Sequence, residues 1–139
     1  MYEKDYILRM IEMFGEFIAA IFGYIKKGNY KQAYDSLNRA YYNFLKEDAS
    51  FFQKIPKNEI SEKLISEHNY TNNHLEILAE LFYVEAELKY KEGKKGESIE
   101  LYEKSLILLE FVDNESRTYS LNRESRQKSI KKRIEELKC

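Results

Sequence analysis

The chain has 139 residues, of which 43% are hydrophobic and 34% are charged, a balance typical of one soluble domain with a single buried core. It contains one proline and no Val-, Ile- or Thr-rich run that alternates with polar residues, so the sequence excludes an extended β-sheet and predicts an all-α fold. The formal net charge of −1 gives no overall attraction to nucleic acid or to an anionic membrane, and no uncharged apolar stretch reaches the roughly 18 residues of a membrane span.

The charges are distributed unevenly along the chain. Residues 115–139 hold eight lysines and arginines against four acidic residues, a local charge of +4, which leaves −5 for residues 1–114. The one cysteine, Cys139, has no partner for an intrachain disulfide, as is usual in a reducing compartment. Charged side chains interrupt the first apolar stretch, so we expect no signal peptide and a cytoplasmic protein.

The first predicted helix runs from about Lys4 to Lys27. Its main apolar face recurs at helical spacings of three and four residues: Ile7, Ile11, Phe14, Ile18, Ile21 and Ile25. A second apolar row lies beside the first: Met10, Met13, Phe17, Ala20 and Tyr24. A helix that is apolar on two sides either contacts several helices of its own chain or keeps one side for a partner, and both interpretations stay open.

A tight turn joins this helix to the second, which we expect to end near Lys46. Gly28 suits the left-handed conformation that closes helices, because it has no Cβ to clash, and Asn29 can cap the following helix. The second helix has an inward face formed by Ala33, Tyr34, Leu37, Ala40, Tyr41 and Phe44. The small residues Ala33 and Ala40 on this face predict a close approach of the two helix axes.

The segment 48–73 is the least regular part of the chain. Phe51 and Phe52 precede Pro56, which disfavours helical angles in the residue before it. These two rings form either a lid over the open end of the first hairpin or part of a binding groove. We expect one short helix after the proline, capped by Asn58.

The sequence becomes regular again after a polar loop at residues 68–73. Asn73, with Glu76 three residues later, predicts a capping box at the start of a third long helix. Gly93 is expected to end that helix, and another begins at Gly96 to complete a second hairpin.

A final helix is mostly polar and carries a narrow apolar stripe, as suits a helix that caps a stack. The sequence thus predicts one domain over residues 1–139 with about five to six helices. Its parts are a hairpin at about 4–46, an irregular segment with a short helix at 48–73, a second hairpin at about 74–112, and a polar capping helix at about 116–138.

The two hairpins repeat with an offset of 65 residues, because Gly93 falls on Gly28 when one is laid on the other. Several further positions then coincide: Phe82 with Phe17, Ser98 with Ala33, Tyr102 with Leu37 and Ser105 with Ala40. A glycine turn followed by two small residues around a larger one resembles the tetratricopeptide-repeat (TPR) family. The positions that carry the resemblance are Tyr24, Gly28, Tyr30, Ala33, Leu37 and Ala40, with Gly93, Ser98, Tyr102 and Ser105. The resemblance implies a TPR-like, right-handed stack of antiparallel helix hairpins.

No residue pattern in the chain predicts catalysis. His68 and His74 do not have the spacing of a helical zinc pair, so we interpret them as ordinary surface histidines. Cys139 lies at a chain end that is poorly suited to hold a nucleophile, and no glycine-rich phosphate loop is present. We therefore expect no catalytic, cofactor-binding or metal-binding residues and no enzymatic activity.

The TPR resemblance implies a module that binds a protein or peptide, either another chain or a second copy of this one as a homo-oligomer. Twelve tyrosines and eight phenylalanines offer material for such a surface, although the same rings can fill the core, and both interpretations stay open. The candidate partner-binding residues are Met13, Tyr24, Tyr42, Phe51, Phe52 and Tyr90. The alternative function is nucleic-acid binding by the basic final helix, through Arg123, Arg126, Lys131, Lys132 and Arg133.

The segment Lys4–Glu12, followed by helical hairpins, also resembles a family of small uncharacterised bacterial proteins of unknown function. That resemblance implies no particular activity, partner or cofactor.

Overall fold

The computed structural model describes residues 2–116 and 121–139, with side chains for all of these except residues 2–8, 11 and 121. Within these ranges the chain is helical and contains no strand, as predicted. It forms seven helices there: α1 (Tyr2–Lys26), α2 (Tyr30–Leu45), α3 (Ala49–Gln53), α4 (Ile60–His68), α5 (Asn72–Lys91), α6 (Lys95–Ser116) and α7 (Leu121–Lys138). None of them combines the length and the apolar character that crossing a membrane requires.

The first hairpin has the turn that the sequence predicts. α1 ends at Lys26, and Gly28 has a φ of 79°, in the left-handed region. The Asn29 N–H donates to the carbonyl of Tyr24 at 2.8 Å. The Gly28 N–H donates to the carbonyl of Ile25 at 3.1 Å, which completes the paired hydrogen bonds of a Schellman turn. Asn29 occupies the N-cap position of α2, but its side chain makes no capping hydrogen bond.

The second hairpin has the same turn 65 residues later. Gly93 has a φ of 80°, and its N–H donates to the carbonyl of Tyr90 at 3.0 Å. The Lys94 N–H donates to the carbonyl of Lys89 at 2.9 Å. The two glycine turns that the predicted repeat aligns therefore have the same backbone conformation.

Small residues line the helix crossings, as predicted. Ala33 and Ala40 of α2 have no exposed surface. On α6 the equivalent residues, Ser98 and Ser105, are also fully buried, and their hydroxyls donate to backbone carbonyls of α5 at 2.9 and 2.7 Å. Because each hydroxyl is paired in this way, a serine can replace an alanine at the crossing without leaving a buried polar group unsatisfied.

The central helix of the fold is α5, which packs against α1, α2 and α6. Apolar side chains on several of its sides are therefore buried, among them Leu75, Leu78, Leu81, Phe82, Val84 and Leu88. α7 packs against α6, with Ile130 and Leu137 buried. The predicted face of α1 is buried at Ile21 and Ile25, while the side chains of Ile7 and Ile11 lie outside the described residues.

The segment between the hairpins differs from the prediction in two places. Phe51 and Phe52 lie in the additional short helix α3, so the described ranges contain seven helices rather than five or six. α4 begins at Ile60 after Glu59, and Asn58 does not cap it.

The start of α5 also differs from the prediction. The helix begins at Asn72, and Thr71 is its N-cap: the Thr71 hydroxyl accepts from the His74 N–H at 3.4 Å. The Nδ1 atom of His74 accepts in return from the Thr71 N–H at 3.0 Å. His74 therefore takes the part that glutamate plays in the usual capping box, and the predicted box of Asn73 with Glu76 is wrong.

The end of the second hairpin lies further along the chain than predicted. α6 continues to Ser116, past the expected end near residue 112, and the first described residue of α7 is Leu121. Ser116, the predicted approximate start of the final helix, therefore belongs to α6, and residues 117–120 lie outside the described ranges.

Candidate protein-binding surfaces

The second apolar row of α1 lies at the edge of the core and is only partly covered. We call it the α1 row; it consists of Met10, Met13, Phe17, Ala20 and Tyr24. Met13 is 54% exposed and Ala20 is exposed, while the other three residues are half-buried and pack against the core. The spacings of four, three and four residues from Met13 to Tyr24 place these side chains along one side of the helix. The row thus presents apolar surface that the described residues leave uncovered.

Aromatic contacts with α2 fix the position of the helix that carries the α1 row. The rings of Phe14 and Phe17 meet the ring of Phe44 in α2 edge-on, at centroid distances of 5.1 and 5.6 Å. Edge-to-face pairs of this kind are favourable beyond the apolar area they bury. The exposed side of the row is therefore presented by a helix that is already packed in place.

Two charged residues flank Met13 on the outer side of α1. Arg9 lies four residues before it and Glu16 three residues after it, and both are exposed. Residues three and four apart share a side of a helix, so both charges lie on the Met13 side. Neither forms a salt bridge with another described residue.

The neighbouring tyrosines of α2 have different environments. Tyr41 has no exposed surface and donates to the carboxylate of Glu85 at 2.8 Å, whereas Tyr42 is 58% exposed. Phe44 faces α1, where its ring contacts Phe14 and Phe17. Tyr42 precedes Phe44 by two residues, a rotation of about 200° around the helix, so Tyr42 points away from the α1 row. It is a single exposed ring rather than part of that row.

Phe51 and Phe52 pack as a lid on the first hairpin. Phe52 has no exposed surface and stacks on Tyr41 at a centroid distance of 5.8 Å. Phe51 is half-buried and meets Phe52 edge-on at 5.0 Å. This packing agrees with the lid interpretation, and the prediction that Phe52 contacts a partner is wrong because its ring lies in the core.

A polar cluster around the buried residues Glu85 and Lys104 connects this lid to the central helices. The carboxylate of Glu85 accepts from Tyr41 and, at 2.5 Å, from Nε2 of Gln53. The Lys104 ammonium donates to the backbone carbonyl of Gln53 at 2.8 Å. Burial raises the pKa of Glu85 and lowers that of Lys104, because both charged forms lose hydration. Since these groups hydrogen-bond one another across four helices, the cluster accounts for the position of α3.

The two histidines belong to an aromatic cluster rather than to an open loop. The ring of His68 meets that of Phe51 edge-on at 4.9 Å, and His74 stacks on Tyr70 at 4.8 Å. Partial burial lowers the pKa of His74. Among the described residues, no group of three His, Cys, Asp or Glu side chains is placed to hold a metal ion.

The arginines of the predicted nucleic-acid surface contact α5. The pairs are Arg123 with Glu76, Arg126 with Glu80 and Arg133 with Glu87. The guanidinium carbon of Arg133 also lies 4.3 Å from the ring centroid of Tyr90, so this candidate partner-binding ring is partly covered. Lys131 and Lys132 remain exposed. The acidic residues of the first part of the chain thus pair with the arginines of the last helix.

An open groove of about 550 Å³ lies between α6, α7 and the segment that follows α3. Its apolar lining comes from Leu106, Ile107 and Ile134. At its rim Lys57 pairs with Glu103 at 3.1 Å. No pattern in the sequence indicates this groove, because its walls come from segments that are far apart in the chain.

Comparisons of the chain with models of protein families, with curated proteins and with solved structures found no match. The resemblances to TPR proteins and to a bacterial family therefore stay predictions. A function has to be argued from the surfaces of this chain, since a helical fold by itself does not specify one.

Proposed function

We propose that this chain is a non-catalytic protein-binding module and that its binding surface is the α1 row. The observation that carries the proposal is Met13, a large apolar side chain that is 54% exposed within a continuous apolar row. A TPR-like stack of the two hairpins is the scaffold we propose, on the basis of their matched glycine turns.

The composition of the α1 row suits a protein surface. Covering exposed apolar area contributes about 25 cal/mol per Å², and methionine adapts its shape to a partner because its side chain is unbranched and flexible. The half-buried rings of Phe17 and Tyr24 supply rigid area beside it. Aromatic residues and methionine are the residue types enriched in protein interfaces.

The other candidate partner-binding residues form no comparable surface. Phe52 is buried and Phe51 packs against it, Tyr90 is partly covered by Arg133, and Tyr42 is a single exposed ring. The α1 row is therefore the surface that holds two of the predicted residues, Met13 and Tyr24.

The test is a comparison of Met13→Glu with Tyr42→Glu. Each replaces an exposed large side chain with a charge, at 54% and 58% exposure respectively, so the two variants are matched in the charge they introduce and in the exposure of the site. We expect proteins retained by the immobilised parent, or self-association of the parent in solution, to be lost in Met13→Glu and kept in Tyr42→Glu. If both variants keep all associations of the parent, or both lose them equally, the α1 row is not the binding surface.

A further inference from the structure

We propose that the occupant of the α1 row at its Met13 end is a second copy of this chain, held by an antiparallel contact of the two α1 helices centred near Met13. The inference rests on the function proposed above and specifies its partner. The resulting pair would have twofold symmetry, the commonest arrangement of soluble homo-oligomers.

The positions of Arg9 and Glu16 favour this pairing. In a twofold contact every facing pair occurs twice, with the two residues exchanged between the copies. Arg9 and Glu16 lie four residues before and three residues after Met13 and are both exposed. When two α1 helices run antiparallel about Met13, Arg9 of each copy therefore lies beside Glu16 of the other.

The same charges favour the antiparallel contact over a parallel one. Arg9 and Glu16 lie on the same side of the Met13 line, and in a twofold parallel pair such flanking residues lie on opposite sides of the seam from their copies. Neither residue would then meet an opposite charge, and both ion pairs would be absent. Neither residue has a competing salt bridge among the described residues. The charge pattern thus selects the direction of pairing.

Apolar contacts fill the centre of the proposed pair. Met13 would meet its own symmetry copy, and two flexible thioether side chains can adapt to each other. About an axis at Met13, residues 9–17 of one copy lie against residues 17–9 of the other, an overlap of about 12 Å at 1.5 Å per residue. A contact between two single helices of this length is smaller than a standard stable interface, so we expect a reversible dimer whose population rises with concentration.

Charge exchange provides the first test of the proposal. Arg9→Glu and Glu16→Arg should each self-associate at least tenfold more weakly than the parent, because each places like charges at both facing positions. An equimolar mixture of the two should regain the affinity of the parent, since the heterodimer again has opposite charges at both positions. Sedimentation velocity over a concentration series measures all three, and Lys31→Glu, at an exposed position of α2, is the matched control that should leave association unchanged.

Disulfide trapping provides the second test and places Met13 at the symmetry axis. In a Cys139→Ser background, Met13→Cys should form a covalent dimer on mild oxidation, because the two sulfurs meet. Ala19→Cys, which is exposed six residues away and on another side of α1, should stay monomeric under the same conditions.

Three results would overturn the proposal: a parent chain that stays monomeric at all concentrations, a mixture that associates no better than its components, or equal trapping at residues 13 and 19. The parent could stay monomeric and still capture another protein in a way that Met13→Glu abolishes. That result would refute the second copy as the occupant and leave the proposed function intact. Loss of any Met13 dependence would remove the proposed function itself.

Discussion

Arg126 of α7 forms a two-bond ion pair with Glu80 of α5. Its Nε donates to Oε2 at 3.0 Å and its Nη2 to Oε1 at 2.5 Å, and its guanidinium carbon lies 3.9 Å from the ring centroid of Tyr83. The planar guanidinium matches the carboxylate at both oxygens, which makes such pairs stronger than single contacts. Since α7 buries few apolar side chains in its described part, contacts of this kind hold it against α5.

We expect Arg126→Ala to lower the free energy of unfolding by about 1–3 kcal/mol, because it leaves a partly buried carboxylate without its partner and uncovers Tyr83. Lys128→Ala is the matched control on the same helix. The Lys128 side chain is 77% exposed, so its removal should change stability by less than about 0.5 kcal/mol. Urea denaturation measures both variants, and equal effects would contradict a special role for Arg126.

The same contacts bear on the alternative function of nucleic-acid binding. Cations that bind phosphates must be free to leave their protein partners and displace counterions, whereas Arg123, Arg126 and Arg133 contact glutamates of α5. We therefore expect the chain to show no retention on immobilised DNA or RNA even at low salt. The expectation would be contradicted if the chain were retained, if that retention fell steeply with salt, and if a Lys131→Glu, Lys132→Glu double variant abolished it. The exposed lysines would then suffice for nucleic-acid binding.

The crossing of α1 and α2 gives a prediction about packing. Ala33 and Ala40 have no exposed surface, so Ala33→Leu or Ala40→Leu should overpack the crossing and destabilise the fold by about 1–3 kcal/mol. Ala19→Leu adds the same atoms at an exposed position of α1 and should shift stability by less than about 0.5 kcal/mol. Thermal unfolding of the three variants would refute the close crossing if all three melted together with the parent.

Local signals in the sequence predicted the hairpins well. Gly28 and Gly93 adopt the left-handed conformation that their positions indicated, because a single residue type meets that requirement with little strain. The buried positions of Ala33 and Ala40 in α2 follow from periodicity, since a helix fixes which residues share a face. The buried positions of Ser98 and Ser105 in α6 follow from the alignment of the two hairpins and not from periodicity.

Local sequence patterns do not predict contacts between segments that are far apart in the chain. Glu85 lies on a helix whose apolar residues are buried on several sides, and its partners Tyr41 and Gln53 are 44 and 32 residues away. The pairing of α7 arginines with α5 glutamates likewise depends on how two helices align, which no short pattern encodes. The sequence pattern does not predict the cap of α5 for another reason. The third helical residue after the N-cap Thr71 is His74, whereas a capping box is defined by glutamate or glutamine at that position.

That cap makes stability depend on pH through His74. Its Nδ1 accepts a hydrogen bond from the Thr71 N–H, which a protonated imidazole cannot do, and burial lowers the pKa of the ring below its ordinary value of 6.5. Because the folded state holds the proton less tightly than the unfolded state, stability from this group is present above about pH 6.5 and is lost as pH falls through the folded pKa.

We expect His74→Gln to remove this dependence, since glutamine can complete the capping box and does not titrate. The free energy of unfolding of the parent should therefore fall relative to that of His74→Gln between about pH 7 and pH 5. Urea denaturation at a series of pH values measures the difference. His68→Gln is the matched control, because it replaces the other histidine of the aromatic cluster and keeps His74, so it should follow the parent. A difference between the parent and His74→Gln that stays constant over this range would show that the Nδ1 hydrogen bond does not link protonation to folding.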